Sequence, residues 1–310
     1  MKNRYRDYNT YLKDIYGQRV QKISLDAGLG CPNRDSTKSG KGCIYCDQKG
    51  SGTGAKILND MSIEEQVSAG IAWAKKRYGA DKYIAYFQSF TNTYASVNVL
   101  KDLYDRALSF EGMAGLSVGT RPDCIDREKL ELLNFYTDNF LVWVEYGLQS
   151  AHDITLVNIN RGHDVQAFVD AVDMTGEYDI KICAHVILGL PGETRDMMLE
   201  TARFLADQPL NGVKIHSLYV TKGTQLATMY NNGEFSCMKR YEYIETLIDF
   251  LELLPPEFII QRVTGDPNRN DLIAPDWTIE KSKNLNLFKE RLEKRDTWQG
   301  KEYDKSTAGK

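Results

Sequence analysis

The chain has 310 residues, enough for two average domains or for one α/β barrel. Hydrophobic residues make up 42% and charged residues 26%, which fits a globular protein and excludes a disordered or collagen-like one. The formal charge of −4 excludes a global field that would draw in nucleic acid, although it leaves room for a local basic patch.

No apolar run reaches membrane-spanning length, so no membrane partner is expected. The N-terminus Met1-Lys-Asn-Arg-Tyr-Arg-Asp is basic, but no apolar stretch follows it, which argues against a signal peptide. The chain therefore reads as cytoplasmic, with reduced cysteines and no disulfide framework.

Taken in order, residues 6–16 read as a helix, with Tyr8, Leu12 and Ile15 on one face and Gly17 as its stop. Val20 to Ala27 reads as the first strand. Ser62-Ile-Glu-Glu65 is a capping-box pattern, and Ile63, Val67, Ile71, Ala74 and Tyr78 continue it as one helical face. Lys82–Phe87 is nearly continuous in apolar residues, as suits a strand buried on both sides.

The alternation then repeats. Helix is expected near 96–110, at Arg127–Phe135, at 165–177, at 195–206 and at Lys239–Leu254, where Pro255-Pro256 stops it. Strands are expected at Gly115–Gly119, Leu141–Tyr146, Ile180–Leu188, Val213–Leu218 and Phe258–Val263. A charged helix over 278–295 follows. Strands alternating with helices argue for a parallel α/β sheet, and six or seven units without a Gly-rich nucleotide fingerprint favour a barrel, complete or not.

Ligands of parallel α/β folds bind at the C-terminal ends of the strands, and the unusual polar clusters fall there. The first strand is followed by Cys31, Cys43 and Cys46, spaced C-x11-C-x2-C. Zinc wants four ligands and an ordinary iron–sulfur cluster four cysteines. Three thiolates suggest a four-iron cluster with one iron open to a small molecule. On spacing alone, structural zinc with a distant fourth ligand fits equally well. A redox pair at Cys43 and Cys46 lacks a thioredoxin-like context. Cys124, Cys183 and Cys237 read as small buried side chains.

Later strand ends carry Gln88-Ser-Phe-Thr-Asn-Thr93, Gly119-Thr-Arg-Pro-Asp123, Gly147-Leu-Gln-Ser150 with Asn160-Arg-Gly-His163, then Gly189-Leu-Pro-Gly-Glu193 and Lys222-Gly-Thr224. Several of these residues have plain readings too. Arg121 beside Pro122 and Asp123 suits a barrel-end salt bridge better than a ligand contact. Glu145 fits a structural role and a ligand-facing one equally. Tyr86 and Phe87 read as core, and His163 and His216 as satisfied structural histidines, with His216 on a strand that points to the rim. Asp266 is a candidate rim contact. The Lys281–Arg295 helix reads as a solvated face. If RNA binds, that helix with Lys2, Arg4 and Arg6 is the best source of phosphate contacts.

The set C-P-N-R-D…G-C-I-Y-C at 31–46, F-Q-S-F-T-N-T-Y at 87–94, G-T-R-P-D at 119–123, E-Y-G-L-Q-S at 145–150, N-R-G-H-D at 160–164, G-L-P-G-E at 189–193, K-I-H at 214–216 and T-G-D at 264–266 resembles the radical S-adenosylmethionine (SAM) superfamily. More narrowly it is similar to the stand-alone YhcC/YtqA-type family, a relative of the catalytic subunit of Elongator. The resemblance spans about Tyr8 to Pro275. Its first cysteine gap is longer than the superfamily's usual C-x3-C-x2-C, as in the Elongator subunit.

The resemblance implies a partial (β/α)6-type TIM barrel over 20–265, an N-terminal helical segment over 1–19, and a C-terminal extension over 266–310. It implies that Cys31, Cys43 and Cys46 hold a [4Fe–4S] cluster whose open iron binds SAM, and that reductive cleavage of SAM yields a 5′-deoxyadenosyl radical. Tyr45 then lies by the adenine, and Gln88, Ser89 and Thr91 stand where the superfamily contacts the methionine amino group. This stretch departs from the usual glycine-rich pattern. Gln149 and Arg161 match a SAM-contacting pair, with Arg161 suited to the carboxylate. His185 matches a position near the ribose, and Gly189 belongs to a turn near the adenine.

The implied partners are tRNA, modified on the C5 side chain of its wobble uridine, and an electron donor such as flavodoxin or ferredoxin. No acetyltransferase domain like that of the Elongator subunit is expected in this chain. A small-molecule or protein substrate, or a non-enzymatic metal-bearing RNA-binding protein, are the alternatives.

Overall fold

The alternating apolar runs and amphipathic helices fold around one parallel sheet, which a computed structural model describes over residues 3–47, 50 and 61–304. The strands are β1 (Val20–Leu25), β2 (Lys82–Phe87), β3 (Met113–Thr120), β4 (Leu141–Gln149), β5 (Lys181–Leu188), β6 (Gly212–Ser217), β7 (Val220–Thr221), β8 (Ile259–Arg262) and β9 (Leu272–Ala274). The helices are α1 (Tyr8–Tyr16), α2 (Ile63–Tyr78), α3 (Val97–Leu108), α4 (Arg127–Phe135), α5 (Asp153–Asn158), α6 (Val165–Thr175), α7 (Arg195–Ala206), α8 (Gln225–Asn231), α9 (Arg240–Glu252) and α10 (Lys281–Lys294).

Seven strands pair in the order β1-β2-β3-β4-β5-β6-β8, each neighbour parallel, and the sheet curls into a half-barrel. Six helical crossovers join them, which is the expected (β/α)6 arrangement with β8 closing the last unit. β7 and β9 form a separate antiparallel pair. The sequence pattern predicts neither of these, nor α5 and α8. They span two to seven residues, too few for a period to show.

The helices cover the outer face of the sheet. At α2 the expected capping box forms: Ser62 Oγ accepts from the Glu65 amide at 3.2 Å, and Glu65 Oε2 accepts from the Ser62 amide at 2.7 Å. Gly70 lets α2 lie close on β1, because a methyl group there would come within 2.3 Å of Ile23.

The inner face is closed below by α1. Tyr8 and Leu12 pack with Val20, Ile84, Trp143, Cys183 and Ile259 as an apolar plug. The open seam between the edge strands is bridged twice, by the Asp7–Ile260 backbone pairing and by Lys22 Nζ donating to Gln261 Oε1 at 2.7 Å. Above this plug the lumen is polar, and the strand ends open into a cavity lined by the loops that follow them.

Candidate active site

The loop after β1 is built to present thiols. Ile44 is buried among Leu156, Ile159, Leu218 and Leu226, and its amide and carbonyl bond to Ile159 and Leu226. That anchor fixes the Cys43–Cys46 turn, which the Cys46 amide closes onto the Cys43 carbonyl at 3.0 Å. Arg34 donates to the carbonyls of Cys46 and Asp47 and holds the end of the turn. All six cysteines are free thiols, and Cys31, Cys43 and Cys46 line the cavity together.

The Asn160–Gly162 loop is tied to this one. Asn33 Nδ2 donates to the Asn160 carbonyl at 2.6 Å and lies 3.5 Å from Cys43 Sγ. Asn160 Nδ2 donates in return to the Gly42 carbonyl at 2.6 Å. Arg121 forms a two-pronged ion pair with Asp123 and donates to the Arg161 carbonyl at 2.8 Å, so the salt-bridge reading of Arg121 describes its contacts. Lys38 pairs with the same Asp123 at 2.6 Å.

These contacts aim Arg161. Its Nη2 and Nε donate to the Gly147 carbonyl at 2.7 and 3.2 Å, and its Nη1 lies 3.6 Å from Cys43 Sγ. Burial pushes the Cys43 thiol up, but Arg161, with Arg121 behind it, more than offsets this and holds it below its ordinary value. β4 breaks register between Gly147 and Gln149, and Gln149 takes φ +80°, which turns its side chain into the cavity. Phe90 and Asn160 also have positive φ, at +62° and +53°. Phe90 and Gln149 line the cavity and Asn160 adjoins Arg161, which does too, so local geometry at this site is held by its surroundings.

The loop after β2 forms the third wall. The Thr91 amide donates to the Gly30 carbonyl at 3.3 Å, and Thr91 Oγ1 is buried without a hydrogen-bond partner among the described residues. A buried hydroxyl on a cavity wall with no partner fits a ligand that brings one.

The floor of the cavity is a charged network. Glu145 is fully buried and accepts from Lys22, from Lys214 at 2.8 Å and from His185 Nε2 at 2.7 Å. Lys214 also donates to the Tyr86 hydroxyl at 2.6 Å. Burial pushes Glu145 up, yet Lys214 and Lys22 hold it well below the carboxylate range. Burial pushes Lys214 down to about 8 against the pull of Glu145. His185 is pushed down to about 4 by burial and Lys214, and His216 well below its usual value by burial and Arg262.

The cavity thus gathers the three cysteines with Tyr45, Gln88, Thr91, Gln149, Arg161 and His185. Ser89 and Gly189 do not line it. Ser89 is buried, and Gly189 lies against Met198 and Met238. Tyr86, expected in the core, faces the lumen because it alternates with Phe87, which packs outward on Tyr104. His163 is the satisfied histidine expected, close to the Asp164 and Gly147 carbonyls.

Lys22, Lys214 and Arg262 were absent from the expected site, as was the Asn33–Asn160 tie. An inward-facing lysine at strand spacing is the one signal that could have found Lys214, since charges are rarely buried without a role. Of the expected phosphate contacts, Lys2 lies outside the described residues. Arg4 pairs with Asp296, Arg6 donates to the Glu257 carbonyl, and Arg291 and Arg295 pair with Glu245, Asp249 and Glu252.

The donor set fits a cluster: three free thiols on one wall, with cationic and amide N–H groups aimed at the innermost sulfur. Among the described residues no group of three or more His, Cys, Asp or Glu side chains is placed to hold a single metal ion.

A parallel half-barrel with three thiols and an arginine at one strand-end cavity defines a class of cluster-bearing α/β-barrel proteins. Residues 28–205 match the radical SAM superfamily domain and residues 210–294 the Radical SAM C-terminal domain, and the chain belongs to that superfamily. It is 39% identical over 298 residues to YtqA of Bacillus subtilis, covering 96% of this chain and 92% of that one. It is 28% identical over 156 residues to the tRNA uridine(34) acetyltransferase of Dehalococcoides mccartyi, covering 49% of this chain and 33% of that one. Among solved structures, the Elp3 of Methanocaldococcus infernus superposes with a TM-score of 0.68 at 19% identity, covering 90% of this chain and 64% of that one. Membership implies an enzyme that uses a [4Fe–4S] cluster, SAM and a reductant.

Proposed function

We propose that this chain is a radical SAM enzyme that alters the C5 side chain of the wobble uridine of tRNA. The observation that carries the radical reading is the convergence of three free thiols and Arg161 on one cavity wall. The tRNA reading is supported by the likeness to a protein named for acetylating tRNA uridine 34.

Cys31, Cys43 and Cys46 would hold the cluster, and Arg161, Thr91 and Gln149 would orient SAM. Bound there, the cluster and SAM together supply a hydrogen-abstracting adenosyl radical. The chain's own part is to bind, orient and keep water out. Arg161 offers charge-assisted bonds to a carboxylate, and Thr91 Oγ1 offers an unused acceptor to an ammonium group.

A second reading places the chemistry on a small molecule or protein. It is favoured by the pairing of Arg291 and Arg295 with acids of α9, which removes cations from the surface best placed for RNA.

Anaerobic reconstitution followed by reduction with SAM tests the radical reading. About four irons per chain and release of deoxyadenosine are expected. One zinc and no cleavage would sink it. Nucleoside mass analysis of tRNA from cells with and without the gene tests the substrate. Unchanged wobble nucleosides would leave the small-molecule or protein reading standing.

A further inference from the structure

At the floor of the cavity one buried carboxylate is held between two lysines, and an arginine lies beside them. Lys22 and Lys214 share Glu145, and both histidines beside them are held neutral by burial. Arg262, at the end of β8, lines the same floor. Among the described residues it has neither an ion pair nor a hydrogen-bond partner, and its register partner across the sheet is Lys214.

A half-buried guanidinium without a counter-charge is costly, and so is an excess of positive charge in a lumen walled by protein. Lys214 responds to both: burial and the neighbouring cations push its ammonium down, although Glu145 is 2.8 Å away. An incoming oxyanion would relieve both. Arg262 offers two parallel N–H bonds to it, and Lys214, already bonded to Glu145 and Tyr86, has a third N–H to give.

We propose that this floor is an oxyanion-binding subsite, with Arg262 as its main anchor and Lys214 and Lys22 as supporting charges. Its ligand is a carboxylate or phosphate group carried by the substrate, seated across the cavity from the thiols. The assignment of that anion to the substrate rests on the radical SAM reading. It does not need the substrate to be tRNA.

The experiment titrates inorganic phosphate and malonate, separately, into full-length holoenzyme already saturated with SAM, by anaerobic calorimetry. At least one probe should bind at one site per chain. Arg262→Gln should weaken it about tenfold, the worth of one charge-assisted contact. Binding of phosphate alone assigns a phosphate ester, and of malonate alone a carboxylate. Both results support the subsite.

Neither probe binding to the wild type, or equal binding to Arg262→Gln, overturns it. If Arg262→Gln does not fold, Arg262→Lys keeps the charge and loses the two-pronged geometry, and unchanged affinity there overturns it too. Deoxyadenosine release by the wild type is measured in the same preparation. Its absence would count against the radical reading, whatever the anion titration shows.

Discussion

A methyl group at residue 147 would lie 2.6 Å from Arg161 Nη2 and from Gln149 Nε2. Glycine is what lets the guanidinium reach the strand carbonyl and still face Cys43. Gly147→Ala should leave the chain folded, with a loss of about 1–3 kcal/mol, and should weaken SAM binding about tenfold. Equilibrium dialysis with labelled SAM checks it, and wild-type affinity would show that Arg161 is not positioned this way. The floor makes a prediction in pH. His185 and His216 stay neutral in the folded chain to well below 6.5, where the unfolded chain takes up protons. Folding stability from these groups is therefore full above about pH 6.5 and falls as acid is added toward pH 4. Each pKa unit is worth about 1.4 kcal/mol, which makes His185 worth about 3 kcal/mol. Glu145, held low, adds its own loss further down. Urea unfolding at a series of pH values should show this decline, and His185→Gln should flatten it.

At the scale of elements, α1 closes the half-barrel from below. Leu12 is 1% exposed within the plug. Leu12→Ala should cost about 2–5 kcal/mol by urea unfolding, because the surrounding β-strand side chains cannot collapse into the gap. Iron bound per folded chain should not change. Most of this scale was legible beforehand. The α2 cap, the apolar run of β2 and the Arg127–Phe135 helix each follow from local pattern. The C-terminal end of β4 was not legible. Its strand runs to Gln149 through a register break, which depends on how Arg161 packs against it from a distant loop.

For the whole molecule, the cysteine loop and the Asn160–Gly162 loop act as one wall around Cys43. Cys43→Ala should lower iron from about four per chain to near none, and should abolish deoxyadenosine release. Full iron in that variant would mean that the ligand set is wrong. None of the helices in the described residues is long and apolar enough to cross a membrane. On α10, Lys281, Lys283, Arg291 and Arg295 are ion-paired, whereas Lys289 and Lys294 are exposed with no ion pair among the described residues.

The sequence by itself determined the thiol set, the order of the sheet strands and the longer helices, and the placement of polar clusters at strand ends. Each of these depends on residues near one another in the chain, where spacing and periodicity speak directly. Only the tertiary structure decided that Lys22, Tyr86, Glu145, Lys214 and Arg262 meet on one floor. The Lys22–Glu145 pair spans 123 residues and the Lys214–Tyr86 bond 128. Such pairs are made by the curl of the sheet, which brings separate strands to one lumen, and no local pattern encodes which charges will face one another there.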